Sequence, residues 1–163
     1  MKFLKQAVVF IIIIIALVIF IPRNNKTATN KNLKEITSYY LTYNNVDIRV
    51  NNNFGNYLSV LGRFNDSRES DSQYPGTIYY YDNFQIETYY EGNVERIKSI
   101  LFTSNNVFTN EGLSIGDPES YIIKTYNQAT NYKDNVYIYE LNGTRLTFIV
   151  SNEKIISIEY SIT

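Results

Sequence analysis

Carboxylates are the side chains of this sequence best suited to catalysis or metal binding, because the sequence contains neither histidine nor cysteine. That composition excludes thiolate metal sites, disulfides and the commonest general base. Asp66, Glu69 and Asp71 would supply oxygen ligands of the kind that Ca²⁺ prefers. They lack the order and the turn glycine of an EF-hand, so we interpret them as a solvated acidic loop and predict no metal site.

Two other arrangements are typical of hydrolases. Glu87 and Glu91 fall on one face of a predicted strand, but strand geometry separates them by about 13 Å, too far for the paired carboxylates of a glycosidase. Ser120 and Lys124 lie on an ordinary helix surface, without the Ser-x-x-Lys spacing of a nucleophile pair. We therefore predict a protein that is not an enzyme, with no catalytic residues and no cofactor.

Other charges favour structural roles. Glu140, Arg145 and Glu159 are expected to form a cross-strand charge cluster on a sheet surface. The 15 Lys and Arg residues nearly balance 16 Asp and Glu residues, for a net charge of −1. No basic field is present to attract nucleic acid.

An unbroken apolar run, AVVFIIIIIALVIFI, occupies residues 7–21 and follows Lys2 and Lys5. Residues 3–22 reach the roughly 20 residues that a membrane-spanning helix needs. An uncleaved single-pass anchor in the cell membrane, with an extracytoplasmic C-terminal domain, is one interpretation. A cleaved signal peptide, which would make the protein secreted, is the other, although Lys26 disfavours cleavage after Ala28.

The sequence divides into an anchor or signal segment (1–22), a linker (23–31) and an extracytoplasmic domain (32–163). Asn32 and Glu35 resemble a capping box, which predicts a helix over 33–43.

The remainder of the domain is predicted to be a tandem repeat, with halves of about 46–104 and 111–163. Residues 46–62 align without gaps on 111–127, each as an extended piece, a turn and a helix; chance resemblance between two compositionally biased segments is the alternative. Asp117 is the expected N-cap of the second helix and Pro118 its first residue. The apolar faces expected to pack on the core are Tyr57, Leu58 and Leu61 in the first helix and Ile122, Ile123 and Tyr126 in the second. We predict an α+β fold of tandem α-β-β-β repeats, preceded by a transmembrane helix. The repeats would share one antiparallel sheet with helices on one face.

Turn signals set the strand register. Asn142-Gly143 predicts a hairpin that places Tyr139 opposite Leu146 and Tyr137 opposite Phe148. A three-residue loop at 151–153 would pair Phe148 with Ile156 and Arg145 with Glu159. Asp82-Asn83 and Gly92-Asn93 are predicted to turn the strands of the first half. The face predicted for the core of the second half holds Tyr137, Tyr139, Leu146, Phe148, Ile156, Ile158 and Tyr160.

The opposite sheet face would not be cleanly polar, unlike most antiparallel sheets with one solvated face. It would include Ile100 and Val136 besides five residues that we take as candidate contacts for a protein partner. Either the helix at 33–43 or a second copy could cover it instead. The five candidates are Tyr80, Tyr89, Ile138, Ile149 and Ile155.

Three stretches resemble a family of extracytoplasmic proteins and lipoproteins of low-GC Gram-positive bacteria: 79–90 (YYYDNFQIETYY), 108–126 (FTNEGLSIGDPESYIIKTY) and 146–160 (LTFIVSNEKIISIEY). The architecture also resembles the tandem repeat of the β-lactamase-inhibitor-protein type. The resemblance implies a binding or assembly module. Family members often carry a cysteine where this chain has Ser72-Gln73-Tyr74.

These observations predict a membrane-tethered, non-catalytic binding or adaptor domain of the bacterial cell envelope, with a protein partner. An inhibitor of an extracellular enzyme is the alternative that the fold resemblance suggests. A carboxylate-dependent wall hydrolase is the third.

Overall fold

The computed structural model describes residues 36–163. The segments 1–22 and 23–31, with the start of the helix predicted over 33–43, lie outside the described residues. Within residues 36–163, no helix combines the length and the apolar character that a membrane crossing requires.

The described part of the predicted 33–43 helix is not helical, so that prediction is wrong there. Strand β1 (Leu41–Tyr43) instead pairs with β2 (Val46–Ile48) as an antiparallel hairpin. Its turn is Asn44-Asn45, with φ of 49° and 62°, the left-handed backbone that asparagine tolerates in tight hairpins. Leu41 and Ile48 face each other and are fully buried, which fixes the register.

Most of the remaining structure is one eight-stranded antiparallel sheet with few and short helices, so helix contributes less than the predicted α+β fold implies. The strand order is β3-β4-β5-β6-β10-β9-β8-β7. After β2, the elements are a 3-10 turn (Phe54–Tyr57), α1 (Leu58–Leu61), β3 (Asp66–Glu69), β4 (Thr77–Tyr80), β5 (Phe84–Glu91), β6 (Val94–Phe102), α2 (Ser120–Tyr126), β7 (Asn131–Lys133), β8 (Val136–Leu141), β9 (Thr144–Ser151) and β10 (Lys154–Ile162).

The core lies on one face of this sheet, where the β1–β2 hairpin and both helices contribute to one cluster of buried side chains. Alternate strand residues such as Ile86 and Phe148 supply the sheet side of the cluster, as strand geometry requires. Leu61 and Ile122 supply the helix side, whereas Leu58 and Ile123, both predicted to face the core, are about half exposed.

The predicted register of the β8–β9 hairpin is confirmed. Tyr139 faces Leu146, Tyr137 faces Phe148, and Glu140 faces Arg145 across the Asn142-Gly143 turn. Arg145 Nη2 lies 2.6 Å from Glu140 Oε1, which completes the expected charge pair. The turns at Asp82-Asn83 and Gly92-Asn93 also connect the strands that they were expected to connect.

The predicted register of the β9–β10 hairpin is wrong. Its turn has two residues, with Ser151 opposite Lys154, and the register then shifts between Ile155 and Ser157. Such a bulge leaves one extra residue, here Ile156, without a partner. Phe148 consequently faces Ile158, not Ile156, and Arg145 faces Ser161, not Glu159.

A bulge of the same form occurs in β6. Thr88 faces Ile97 and Glu87 faces Ser99, which leaves Lys98 as the extra residue. Ile97 in β6 and Ile155 in β10 thus both lie immediately before a bulge, and both are fully buried.

Each of these isoleucines also bonds to the segment that leads into a helix. The Asn51 amide donates to the Ile97 carbonyl (2.7 Å), and the Ile97 amide donates to Asn52 (3.0 Å). In the second half, the Gly116 amide donates to Ile155 (2.8 Å), and the Ile155 amide donates to Asp117 (2.9 Å). The ungapped alignment of 46–62 with 111–127 places Asn51 on Gly116 and Asn52 on Asp117.

Helix α2 begins at Ser120, after the predicted start at Pro118. The Asp117 carboxylate does not cap it. That carboxylate accepts a hydrogen bond from the Ser114 amide (2.8 Å) and closes the preceding turn instead.

Two leucines of α1 provide a matched test of this packing. Leu61→Ala should destabilise the fold by about 2–5 kcal/mol, because it leaves a cavity in the core. Leu58→Ala, which removes the same atoms from a half-exposed position, should change stability by no more than about 0.5 kcal/mol. Urea unfolding of both variants measures the difference, and equal destabilisation would contradict the assignment of the buried face.

Candidate binding surface on the outer face of the sheet

The outer face is the side of the eight-stranded sheet opposite the core, and its residues follow from the strand register. One row runs from Ile78 through Glu87, Ser99, Ser161 and Arg145 to Glu140. The next row runs from Tyr80 through Gln85, Leu101, Glu159 and Thr147 to Ile138.

The outer face carries four of the five candidate partner contacts. Tyr80 and Tyr89 lie in its first half, and Ile138 and Ile149 in its second half. Ile155 was placed there wrongly, because the bulge after it turns its side chain into the core, where it is fully buried. Ile100, predicted for the same face, is also fully buried.

The two tyrosines of the first half use their hydroxyl groups within the fold. Arg68 Nε donates to the Tyr80 hydroxyl (2.6 Å), while the other end of the guanidinium pairs with Asp71 (2.7 Å). The Tyr89 hydroxyl donates to Asn51 Oδ1 (2.6 Å). These bonds fix both rings but leave the hydroxyls less available to a partner.

The acidic residues expected to form a loop lie partly in strand β3, at one edge of the sheet. Asp66 and Glu69 are the ends of that strand, and Asp71 follows it. Across the described part of the chain, no group of three acidic side chains is arranged to hold a metal ion.

The centre of the outer face contains two glutamates in contrasting surroundings. Partial burial disfavours the charged form of Glu87, but hydrogen bonds from the Ser70 hydroxyl and from Lys98 Nζ (2.9 Å) outweigh it and lower the pKa of Glu87. Burial raises the pKa of Glu159, and Glu87 adds to the effect, although the Ser99 hydroxyl, Lys98 and Arg145 oppose it. Glu159 is therefore more easily protonated than Glu87.

The second half of the outer face contains a local apolar cluster. Val136 faces Ile149 directly, and Ile138 lies one row further along, opposite Thr147. We call these three residues, Val136, Ile138 and Ile149, the isoleucine patch. Ile149 is 39% exposed, and Ile156 at the nearby bulge is 52% exposed. Apolar side chains in contact with water on an otherwise polar sheet face mark a surface suited to protein contacts.

Residues 36–43, the described part of the helix that was predicted as one possible cover, do not cover the outer face. Tyr39 and Leu41 belong to the core on the opposite side. The Asn142 side chain, at the β8–β9 turn, donates to the carbonyl of Thr37 (2.7 Å) and holds this segment at the end of the sheet.

A second feature was missed from the sequence. A groove of about 530 Å³ lies between the end of α2 and the edge strand β7. Its lining residues are uncharged: Ile123, Gln128, Ala129, Thr130, Asn131, Tyr132 and Tyr137. The isoleucine pair Ile122-Ile123 in α2 could have indicated the groove. Both residues were predicted to face the core, whereas Ile123 is 52% exposed.

The opposite pKa shifts of Glu159 and Glu87 should make their contributions to folding stability depend on pH in opposite directions. The raised folded-state pKa of Glu159 gives a contribution that is present below its unfolded value of about 4.3 and is lost as pH rises through the folded pKa. Glu159→Gln should therefore gain stability over the wild type as the pH rises from about 4 towards 7.

Glu87→Gln is the matched control with the opposite sign. The lowered pKa of Glu87 stabilises the fold above its unfolded value, and this contribution is lost in acid. The variant should be less stable than the wild type at neutral pH and approach it as the pH falls. Unfolding midpoints at several pH values test both variants, and a Glu159→Gln variant less stable than wild type at neutral pH would contradict the assignment.

No family model matches the chain, and no curated protein matches it. Similar solved structures include a cysteine-rich secretory protein from Staphylococcus aureus, with a TM-score of 0.46 and 13% identity over 70% of this chain. This chain covers 47% of that protein, about half its length. They also include a DUF4309 family protein from Bacillus subtilis, a low-GC Gram-positive bacterium, with a TM-score of 0.44 and 14% identity, covering 76% of this chain and 82% of that one.

Proposed function

We propose that this protein is a membrane-tethered, non-catalytic binding domain of the bacterial cell envelope, and that it contacts a protein partner through the isoleucine patch. The observation that carries the proposal is the position of Val136, Ile138 and Ile149 on the solvent side of the sheet. Fully burying an exposed aliphatic side chain contributes about 1.5–3 kcal/mol, and a partly exposed residue such as Ile149 (39% exposed) would contribute part of this to an interface.

Three carboxylates of the outer face form ion pairs with neighbouring cations. Glu87 pairs with Lys98 (2.9 Å), Glu91 with Arg96 (2.6 Å), and Glu140 with Arg145 (2.6 Å). Charge pairs of this kind are typical of a sheet surface.

The membrane tether rests on the sequence. The apolar run over 7–21 and the polar linker over 23–31 would hold residues 36–163 close to the outer surface of the bilayer. A domain held there meets envelope proteins and secreted proteins as its natural partners.

We also infer that the two halves of the sheet are copies of one unit. Matched backbone bonds at Ile97 and Ile155, together with matched bulges, support this inference. Helices α1 and α2 also end alike, with the Gly62 amide donating to Leu58 and the Asn127 amide to Ile123. These shared contacts favour a duplicated unit over chance resemblance between biased segments.

The inferred duplication allows Ile149 of the isoleucine patch to be compared with the residue at the same position of the first half. Glu87 and Ile149 occupy equivalent positions, because each lies opposite the serine that follows a bulge. The bulge residues are Lys98 and Ile156 respectively. The first half thus holds a glutamate–lysine pair where the second half presents two isoleucines. A change of this kind on a solvated face favours a surface that contacts a partner in the second half.

The combined Ile138→Asp and Ile149→Asp variant tests the proposed function. The tagged full chain, expressed in its own cells, should capture a partner from solubilised membranes, and the variant should lose that partner because a charge in an apolar contact is costly. Leu58→Asp, at a comparably exposed position on α1, is the control and should retain capture.

Thermal unfolding of the same variants completes the test. The double variant should unfold cooperatively, near the midpoint of the wild type. If it fails to fold, the patch is covered within the protein, and if it captures the partner as the wild type does, the patch is not the binding surface.

A further inference from the structure

We propose that the edge of β7, which pairs with no further strand within residues 36–163, accepts an extended segment of the partner protein as an added antiparallel strand, with an apolar residue in the adjoining groove and a carboxylate opposite Lys133. This inference rests on the proposed function and names the kind of partner that the second half of the sheet would bind. Addition of a strand to an exposed sheet edge is an established mode of peptide recognition.

The backbone of Tyr132 is the group that would receive the strand. The carbonyl of Asn135 accepts a hydrogen bond from the Val150 amide on β9, so the backbone groups of Asn135 face β9. Backbone groups alternate in direction along a strand, so the N–H and C=O groups of Val136 and Ile138 face β7. Their partners Lys133 and Asn131 bond back to β8, which leaves the amide and carbonyl of Tyr132 facing outward.

The two edges of the sheet differ in how they are protected. Strand β3 carries Asp66, Arg68 and Glu69, charged residues of the kind that discourage strand addition. In β7, the positions equivalent to Asp66 and Arg68 are Asn131 and Lys133, judged by their pairing with β4 and β8. The basic residue is kept at this edge, but the acidic residue is not.

Charge complementarity identifies the flanking residue of the partner. Arg68 in the first half has Asp71 at 2.7 Å. Within residues 36–163, the equivalent Lys133 pairs with the neighbouring Asp134 alone, at 3.8 Å, and both side chains are 83% exposed. A carboxylate on the added strand, directly opposite Lys133, would form the cross-strand pair that this edge lacks.

The groove identifies the central residue of the partner. The residue opposite Tyr132 would point to the same side of the sheet as the Tyr132 ring, which packs against Tyr137 with ring centroids 4.5 Å apart. That side holds the uncharged groove lined by Ile123 and Ala129. An apolar or aromatic side chain fits this lining. In an antiparallel strand, the residue opposite Lys133 comes first, so the expected motif is a carboxylate followed directly by an apolar residue.

Tyr132→Pro and Tyr132→Thr form a matched pair for the test. Both remove the aromatic ring, but only proline removes the outward amide, and proline is tolerated on edge strands where that amide faces solvent. The probes are phage-displayed random heptapeptides, selected on the full chain in lipid nanodiscs. We expect selected peptides to carry the carboxylate–apolar motif and to bind Tyr132→Pro about tenfold more weakly than Tyr132→Thr, as loss of one backbone hydrogen bond implies.

A synthetic version of the best peptide provides two further controls. Methylation of the backbone nitrogen of its apolar residue should abolish binding, and replacing its carboxylate by lysine should weaken it. Ile123→Asp in the full chain should also abolish binding. If the thermal midpoints of the two Tyr132 variants differ, the N-methylated peptide decides the question on the unaltered chain, and undiminished binding of that peptide would overturn the proposal.

Four further results would overturn the proposal. Three of them need only the purified chain: no peptide is enriched, the peptides bind both Tyr132 variants equally, or light scattering detects a dimer that Tyr132→Pro dissociates. The last result would assign the edge to a second copy of this chain. If Tyr132→Pro still captures the membrane partner while the combined Ile138→Asp and Ile149→Asp variant does not, strand addition fails and the proposed function stands.

Discussion

The short contact between β6 and β10 is the constraint on which the rest of the structure depends. These two strands pair only from Ser99 to Leu101 against Glu159 to Ser161, yet they join the two halves of the sheet. Beyond this contact, each strand bonds to a different segment, Ile97 to Asn51 and Asn52, and Ile155 to Gly116 and Asp117. The buried backbone groups of the strands are thereby satisfied without a longer contact between the halves.

The bulges follow from the same constraint and set the chemistry of the outer face. Because each strand gains one extra residue, Ile97 and Ile155 stay buried while Lys98 and Ile156 are displaced from the regular alternation. Lys98 neutralises Glu87 on the first half. Ile149 and Ile156 at the second bulge form no such pair, and they contribute to the local apolar surface on which the proposed function rests.

The hairpins could be predicted from sequence wherever the turn residues have one strong conformational preference. Asn142-Gly143 demands a tight turn, and the alternating Tyr137 and Tyr139 then fix the register. A bulge has no comparable signal. The prediction therefore reached the β9–β10 pairing through a three-residue loop and placed Ile155 outside the core. Asn44-Asn45 is also a turn signal, but it was outweighed by a helical spacing of apolar residues that a buried hairpin satisfies as well.

The candidate site was predictable in part for the same reason. Ile138 and Ile149 lie on a hairpin of correct register, so their place on the outer face followed from alternation alone. The groove beside β7 depends on the exposure of Ile123, which is decided by how far α2 extends over the sheet. Helix periodicity alone places Ile122 and Ile123 on neighbouring faces and does not settle which of them is covered.

The central claim is that a partner lies against the second half of the outer face in the living cell. Site-specific incorporation of a photo-crosslinking phenylalanine derivative at Ile149, compared with the same residue at Leu58, tests this most directly. The account predicts one discrete intermolecular adduct from position 149 and none from position 58. An adduct pattern that is the same at both positions, or no adduct at 149 in cells where the chain is folded, would contradict it.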